Sequence, residues 1–253
     1  MIGIIGVDTL QHTENSKFIC RKMALVGLLF LTPLLQASVA QAGAAENATK
    51  TAQPESSANP NSTEPDINAG LKAVEQGDDI AAFQIFKPLA EQGDMEAQHN
   101  LAVLYKTGKG VMRDMEKAAM WFRKAAEQGL PDAQFNLGEL YDEGNGVEKR
   151  HEYAALWYTR AAEQGHALAQ TNLGVMYANG DGVPQDPIKA YVWFNLAASQ
   201  GIGVAFDNRE ILGKQMSEDM LGRVREISRD YFQRFVLPFQ SQAKTPHATA
   251  HKH

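Results

Sequence analysis

Several groups of residues have the types and spacing that chemistry would need. Gly108/Gly110, Gly144/Gly146 and Gly180/Gly182 form Gly-x-Gly turns, the raw material of a phosphate-cradling loop. They follow helical segments and lack the Gly-Lys-Ser/Thr ending that brings an ammonium and a metal-binding hydroxyl to a phosphate. They therefore read as helix C-caps. His151-Glu152-Tyr153-Ala154-Ala155 begins like a zinc-protease helix, but Ala155 stands where the second histidine must coordinate, so that site cannot form. Ser241-Gln242-Ala243-Lys244 has the Ser-x-x-Lys spacing of penicillin-recognising enzymes. That chemistry needs both groups on the first turn of a buried helix, whereas Pro246 and a polar tail follow here. His247, His251 and His253 read as a solvated tail rather than a metal site, and no Gly-x-Ser-x-Gly elbow occurs. The expectation is a protein that is not an enzyme and has no catalytic, cofactor-binding or metal-binding residues.

The composition agrees. The chain has 253 residues, 44% of them hydrophobic, and a net charge of -6, ordinary values for a globular chain that buries a core. Thirty acidic residues against 24 basic ones leave no field to neutralise phosphates, which argues against nucleic acid as a partner. A single cysteine, Cys20, excludes an internal disulfide framework and cysteine-based zinc sites.

The N-terminus reads as a processing signal. Lys17, Arg21 and Lys22 precede an apolar run from Met23 to Leu35, and Ala40-Gln41-Ala42 supplies small residues for cleavage. Residues 1–42 are thus a signal peptide, with a mature start at Gly43, or at Gln41 if Ser38-Val39-Ala40 is used. The mature chain would be periplasmic or secreted. The run is short for a bilayer of about 30 Å; left uncleaved, it would give a membrane-tethered scaffold. Residues 43–66 hold small, polar and Pro residues with almost nothing large and apolar, the composition of a disordered linker. Residues 239–253 read as a flexible tail.

Between these ends the sequence repeats with a period of 36. Glu91-Gln92-Gly93, Glu127-Gln128-Gly129, Glu163-Gln164-Gly165 and Ser199-Gln200-Gly201 hold that interval without an insertion, as do Trp121/Trp157/Trp193, Leu101/Leu137/Leu173 and Tyr105/Tyr141/Tyr177. Each unit reads as two helices. Ala97, Leu101, Leu104 and Tyr105 make one amphipathic stripe; Ala118, Ala119, Trp121, Phe122, Ala125 and Ala126 make a wider one. Asp114 and Asp186-Pro187 are N-cap signals, whereas Arg150 fills that slot in the middle copy and should cap it weakly. Asn100, Asn136, Asn172 and Asn208 recur on the flank of the packed stripe and are expected to hydrogen-bond the neighbouring turn. The three tryptophans are expected in the core.

These residues resemble the Sel-one-like repeat (SLR) family, relatives of tetratricopeptide repeats. The match runs over about Gly70–Gly201 and is clearest at Ala133-Gln134-Phe135-Asn136-Leu137-Gly138-Glu139-Leu140-Tyr141 and Ala161-Ala162-Glu163-Gln164-Gly165. The first unit departs from the pattern at Gly77 and at Ile85, where tryptophan is expected; Arg209 departs from it after Gly201. Both ends look like caps. The resemblance implies an all-α fold, a right-handed α-solenoid of helix-turn-helix repeats with terminal caps over 67–238. It implies a protein–protein interaction scaffold, or alternatively a cell-envelope enzyme or β-lactam/peptidoglycan-binding protein.

A binding face follows by subtraction. On the first helix of each unit the stripe opposite the core holds His99, Val103 and Lys106, then Phe135, Glu139 and Asp142, then Thr171, Val175 and Ala178. These positions vary between copies, and they combine apolar anchors with a charged rim. They are the candidate contacts for a protein or peptide ligand, with Phe135 as its leading anchor.

Overall fold

The period of 36 residues becomes a ladder of helix pairs in the computed structural model, which describes residues 66–242. The expected signal peptide, most of the linker and the histidine tail lie outside the described residues. The helices are α1 (Ile67–Gln76), α2 (Asp79–Gln92), α3 (Met95–Thr107), α4 (Met115–Glu127), α5 (Pro131–Glu143), α6 (His151–Glu163), α7 (Ala167–Asn179), α8 (Pro187–Ser199), α9 (Gly203–Gly213), α10 (Glu218–Phe235) and α11 (Leu237–Gln242). No strand occurs among the described residues. Each helix up to α9 packs on the next, and α10 folds back across α8 to reach α6. The fold is an all-α solenoid of helix pairs. Helix α11 continues to Gln242, past the boundary of 239 expected for the tail.

Local chemistry sets where each helix begins and ends. Asp78, Asp94, Asp114 and Asp186 accept hydrogen bonds from the first-turn N–H groups of α2, α3, α4 and α8, satisfying donors that a helix leaves unpaired. Arg150 makes no side-chain cap bond at the start of α6, as its chemistry requires. Asp66 caps α1, and Ser217 caps α10. At the other ends Gly77, Gly93, Gly108, Gly129, Gly144, Gly165, Gly180 and Gly201 all take positive φ.

The second glycine of each turn has a different job. A Cβ on Gly146 would overlap the carbonyl of Met115, at the start of α4 one repeat earlier. Gly110 and Gly182 meet Asp79 and His151 in the same way. These turns are therefore docking points as well as caps, where backbone must approach backbone.

The core is apolar and continuous across repeats. Leu101, Leu137 and Leu173 are fully buried between Phe122, Tyr158 and Phe194, and all three tryptophans are buried. Gly138 and Gly174 let the Tyr158 and Phe194 rings press against the helix backbone, since a Cβ there would stand 2.7 Å from ring atoms. Through this core runs a polar ladder. Gln98, Gln134 and Gln170 are buried and donate to the Ala90, Ala126 and Ala162 carbonyls at the ends of α2, α4 and α6, at 3.1, 3.1 and 3.0 Å. Each in turn accepts 2.8 Å bonds from Gln128, Gln164 and Gln200 one helix later.

The ladder gives a sharp expectation. Gln134→Ala removes a bond from the Ala126 carbonyl and leaves the Gln164 amide only the Arg160 carbonyl, so it should destabilise the fold by about 1–3 kcal/mol. Chemical denaturation with an unchanged m-value would show it.

Candidate interaction face

The odd-numbered helices α3, α5 and α7 carry the residues singled out by subtraction. Their apolar stripe is committed inward, so the opposite stripe faces the next odd helix or solvent. The structure divides the nine positions. Val103, Lys106, Asp142, Val175 and His99 are partly exposed, whereas Phe135, Glu139, Thr171 and Ala178 are buried.

Phe135 is where the structure departs most from the expected free anchor. It is 5% exposed, stacks on the His166 ring with centroids 4.6 Å apart and meets Tyr158 at 5.9 Å. The cause is His166, the N-cap of α7, which swings its ring over α5 while its Nδ1 accepts the Ala169 N–H. Thr171 is fully buried and turns its hydroxyl back to the Ala167 carbonyl.

The remaining residues form two polar bridges between helices. Lys106 on α3 donates to Glu139 Oε2 at 3.1 Å and to Asn136 Oδ1 at 3.2 Å on α5. Asp142 lies 2.7 Å from His151 Nδ1, which ties the end of α5 to the start of α6. Asn136, one of the recurring asparagines, is the junction of this network. Its Nδ2 donates to the Asp132 carbonyl one turn back and stands 3.5 Å from His99 Nε2. Asn100 does likewise to Glu96. These asparagines bond their own helix, not the neighbouring turn, because the i−4 carbonyl lies directly beneath the side chain.

Asp132 and His166 also belong to the face. Because His166 Nδ1 is an acceptor, its proton sits on Nε2, 3.4 Å from Asp132 Oδ1. That hydrogen bond is the main cause holding the Asp132 carboxyl below its ordinary range, against desolvation. For His99 the order differs: burial lowers its pKa below 6.5 first, Asp132 opposes this, and the Lys106 charge adds to the lowering. The variation of registers 130/166 and 132/168 between copies was the available signal for both residues.

The partly exposed groups of the stripe are His99, Val103, Lys106, Asp142 and Val175. Among the described residues no group of three or more His, Cys, Asp or Glu could hold a metal ion.

Helix pairs at a fixed period, docked through glycine turns and an interior glutamine ladder, define the class: an α-solenoid of repeated helix pairs. The chain belongs to the Sel1 repeat family, whose model matches residues 68–94, 96–130, 131–166 and 167–202, and such repeats mediate protein–protein interaction. Two solved structures are similar. One is a protective antigen present in uropathogenic Escherichia coli strains that displays an SLR fold, at 28% identity and TM-score 0.50 over 75% of this chain and 50% of that one. The other is a Sel1 repeat protein from Oxalobacter formigenes, at 34% identity and TM-score 0.54 over 57% of this chain and 59% of that one. The chain thus spans between half and three fifths of these relatives' lengths. Among curated proteins none matches.

Two outcomes follow from this geometry. Phe135→Ala should now cost about 3–5 kcal/mol of folding stability, the range for emptying a buried phenylalanine site, read as a lowered midpoint in denaturant. His99 supplies a pH dependence with a definite sign. The unfolded chain takes up a proton near 6.5 and the folded chain only at lower pH, so stability falls as pH drops through 6.5. Asp132 acts in the same direction but only below the ordinary aspartate value of 3.8. His99→Gln should remove the loss between those two values, as melting temperatures at pH 7 and pH 5 would show.

Proposed function

We propose that the chain is an exported protein–protein interaction scaffold that binds a protein or peptide ligand on the concave face formed by α3, α5 and α7, and that it is not an enzyme. The observation that carries this is a contrast between registers. Core positions repeat between copies, whereas at one partly exposed register of the odd helices Lys106 gives way to Asp142, beside a register where Val103 and Val175 both reach solvent. A solenoid needs the first set for stacking; the second set gives each repeat its own contact chemistry. Phe135, Glu139 and Thr171 support the face from beneath, by packing and by pairing Lys106.

Export and a periplasmic or secreted location rest on the reading of residues 1–42. No described helix is long and apolar enough to cross a membrane, so a membrane role depends on an uncleaved signal segment.

Crosslinking in the native envelope followed by mass spectrometry identifies the ligand. The double variant Val103→Ser with Asp142→Asn should then weaken that ligand by about tenfold, since both side chains reach solvent, in protein that circular dichroism and a cooperative melting transition show to be folded. Unchanged affinity in a folded variant would refute the face. Turnover of nitrocefin or of cell-wall material by the purified protein would overturn the scaffold reading in favour of an envelope enzyme.

A further inference from the structure

The tryptophan-bearing face of the even-numbered helices presents three equivalent sites, and one is already filled. On α8, Val192, Trp193 and Leu196 are buried under α10. The Trp193 ring meets Tyr231 edge-on at 5.3 Å and stacks on Phe235 at 5.8 Å, so the cover is a helix with two aromatic residues four positions apart. The end of this cover reaches Gly165 at the close of α6, where the Phe235 carbonyl and the Phe239 ring lie beside it.

One and two repeats earlier the same three registers hold Leu156, Trp157 and Arg160 on α6, and Met120, Trp121 and Lys124 on α4. Helix α10 reaches only the close of α6, at Gly165. Met120 and Leu156 are each 44% exposed, although both are equivalents of the buried Val192. The leucine of the covered site has become a cation, and that cation rests on the indole: Lys124 Nζ is 3.9 Å from the Trp121 centroid and Arg160 Cζ 4.6 Å from that of Trp157. Neither is paired with a carboxylate among the described residues.

We infer that Met120, Trp121, Lys124, Leu156, Trp157 and Arg160 form a second docking surface, for a partner protein's amphipathic helix that carries aromatic residues four apart and carboxylates on its rim. Helix α10 supplies the packing template, and the surface is continuous with the interface it already makes. Charge selects the occupant. Burying Lys124 and Arg160 without carboxylates would leave two desolvated cations, a cost that an uncharged or basic helix cannot offset. A second copy's α10 fits poorly, because its carboxylates Glu218, Asp219, Glu226 and Asp230 are matched by Arg223, Arg225, Arg229 and Arg234, leaving it no net negative charge, and it would leave its own Trp193 bare. This surface is separate from α3, α5 and α7, so it stands or falls apart from the concave face.

The test uses the full chain and two 18-residue peptides. One has the α10 sequence; the other has that sequence with R225E and R229E. Binding is read by fluorescence anisotropy of labelled peptide, and position by mass-spectrometric oxidation of Met120 against Met112, which is 87% exposed and lies off the surface. The acidic peptide should bind at least about tenfold more tightly than the α10 peptide and slow oxidation of Met120 but not of Met112. K124E/R160E should reverse the order of the peptides. Equal affinities, or no slowing of Met120 oxidation at about 1 mM acidic peptide, would overturn the proposal. So would protection of Met120 that rises with protein concentration alone and accompanies a dimer in sedimentation, which would make a second copy the occupant. If K124E/R160E does not fold, the Met120 to Met112 ratio in the unaltered chain decides.

Discussion

A helix that ends inside a packed interface must find partners for its last carbonyls, and the solenoid depends on how α2, α4 and α6 meet that demand. Each sends one such carbonyl to a buried glutamine of the next odd helix, and that glutamine is held by another glutamine 30 residues on. An unpaired amide or carbonyl in this interior would cost as much as a cavity. The bonds therefore fix the step from one repeat to the next as well as holding it. The second glycine of each turn works with them, letting backbone settle on backbone one repeat earlier. Dispersion contacts of leucine, alanine and aromatic rings fill the volume that these two constraints define.

With the step fixed, the surface follows. Odd helices stand close enough for side chains to bridge them, so a position opposite the core can still be consumed by the next repeat. Lys106 reaches Glu139 and Asn136, and the His166 ring covers Phe135. What is left to a ligand on this side is the part of each stripe that no bridge occupies. The polar cluster of His99, Asp132, Asn136 and His166 also places titratable groups across three helices, which couples the packing of the odd helices to mild acid.

The even helices tell the complementary story at the C-terminal end. A solenoid must close its last repeat, and α10 does so by laying Tyr231 and Phe235 over Trp193. The earlier repeats meet solvent at that register by a different device, a cation resting on each indole. Both arrangements shield the same ring face, one by a helix and one by a side chain that can move aside.

The sequence alone determined the repeat, because period, helix stripes and capping residues are local properties that survive in a string. Asp114 and Asp186 cap their helices and Arg150 does not, as side-chain chemistry dictates. The glycines end the helices for the same reason. Only the tertiary structure decided which side of a helix is truly free. Phe135 lies on the stripe that helical geometry assigns to the outside, yet the ring of His166, the N-cap of α7, covers it. The glutamines recur as plainly as the tryptophans, but a recurrence does not say whom a side chain bonds. Asn136 and Gln134 share one helix, and the amide of one donates to its own turn while the amide of the other crosses to the preceding helix. Such distinctions depend on the distance between helix axes, which small residues set only once the repeats are stacked.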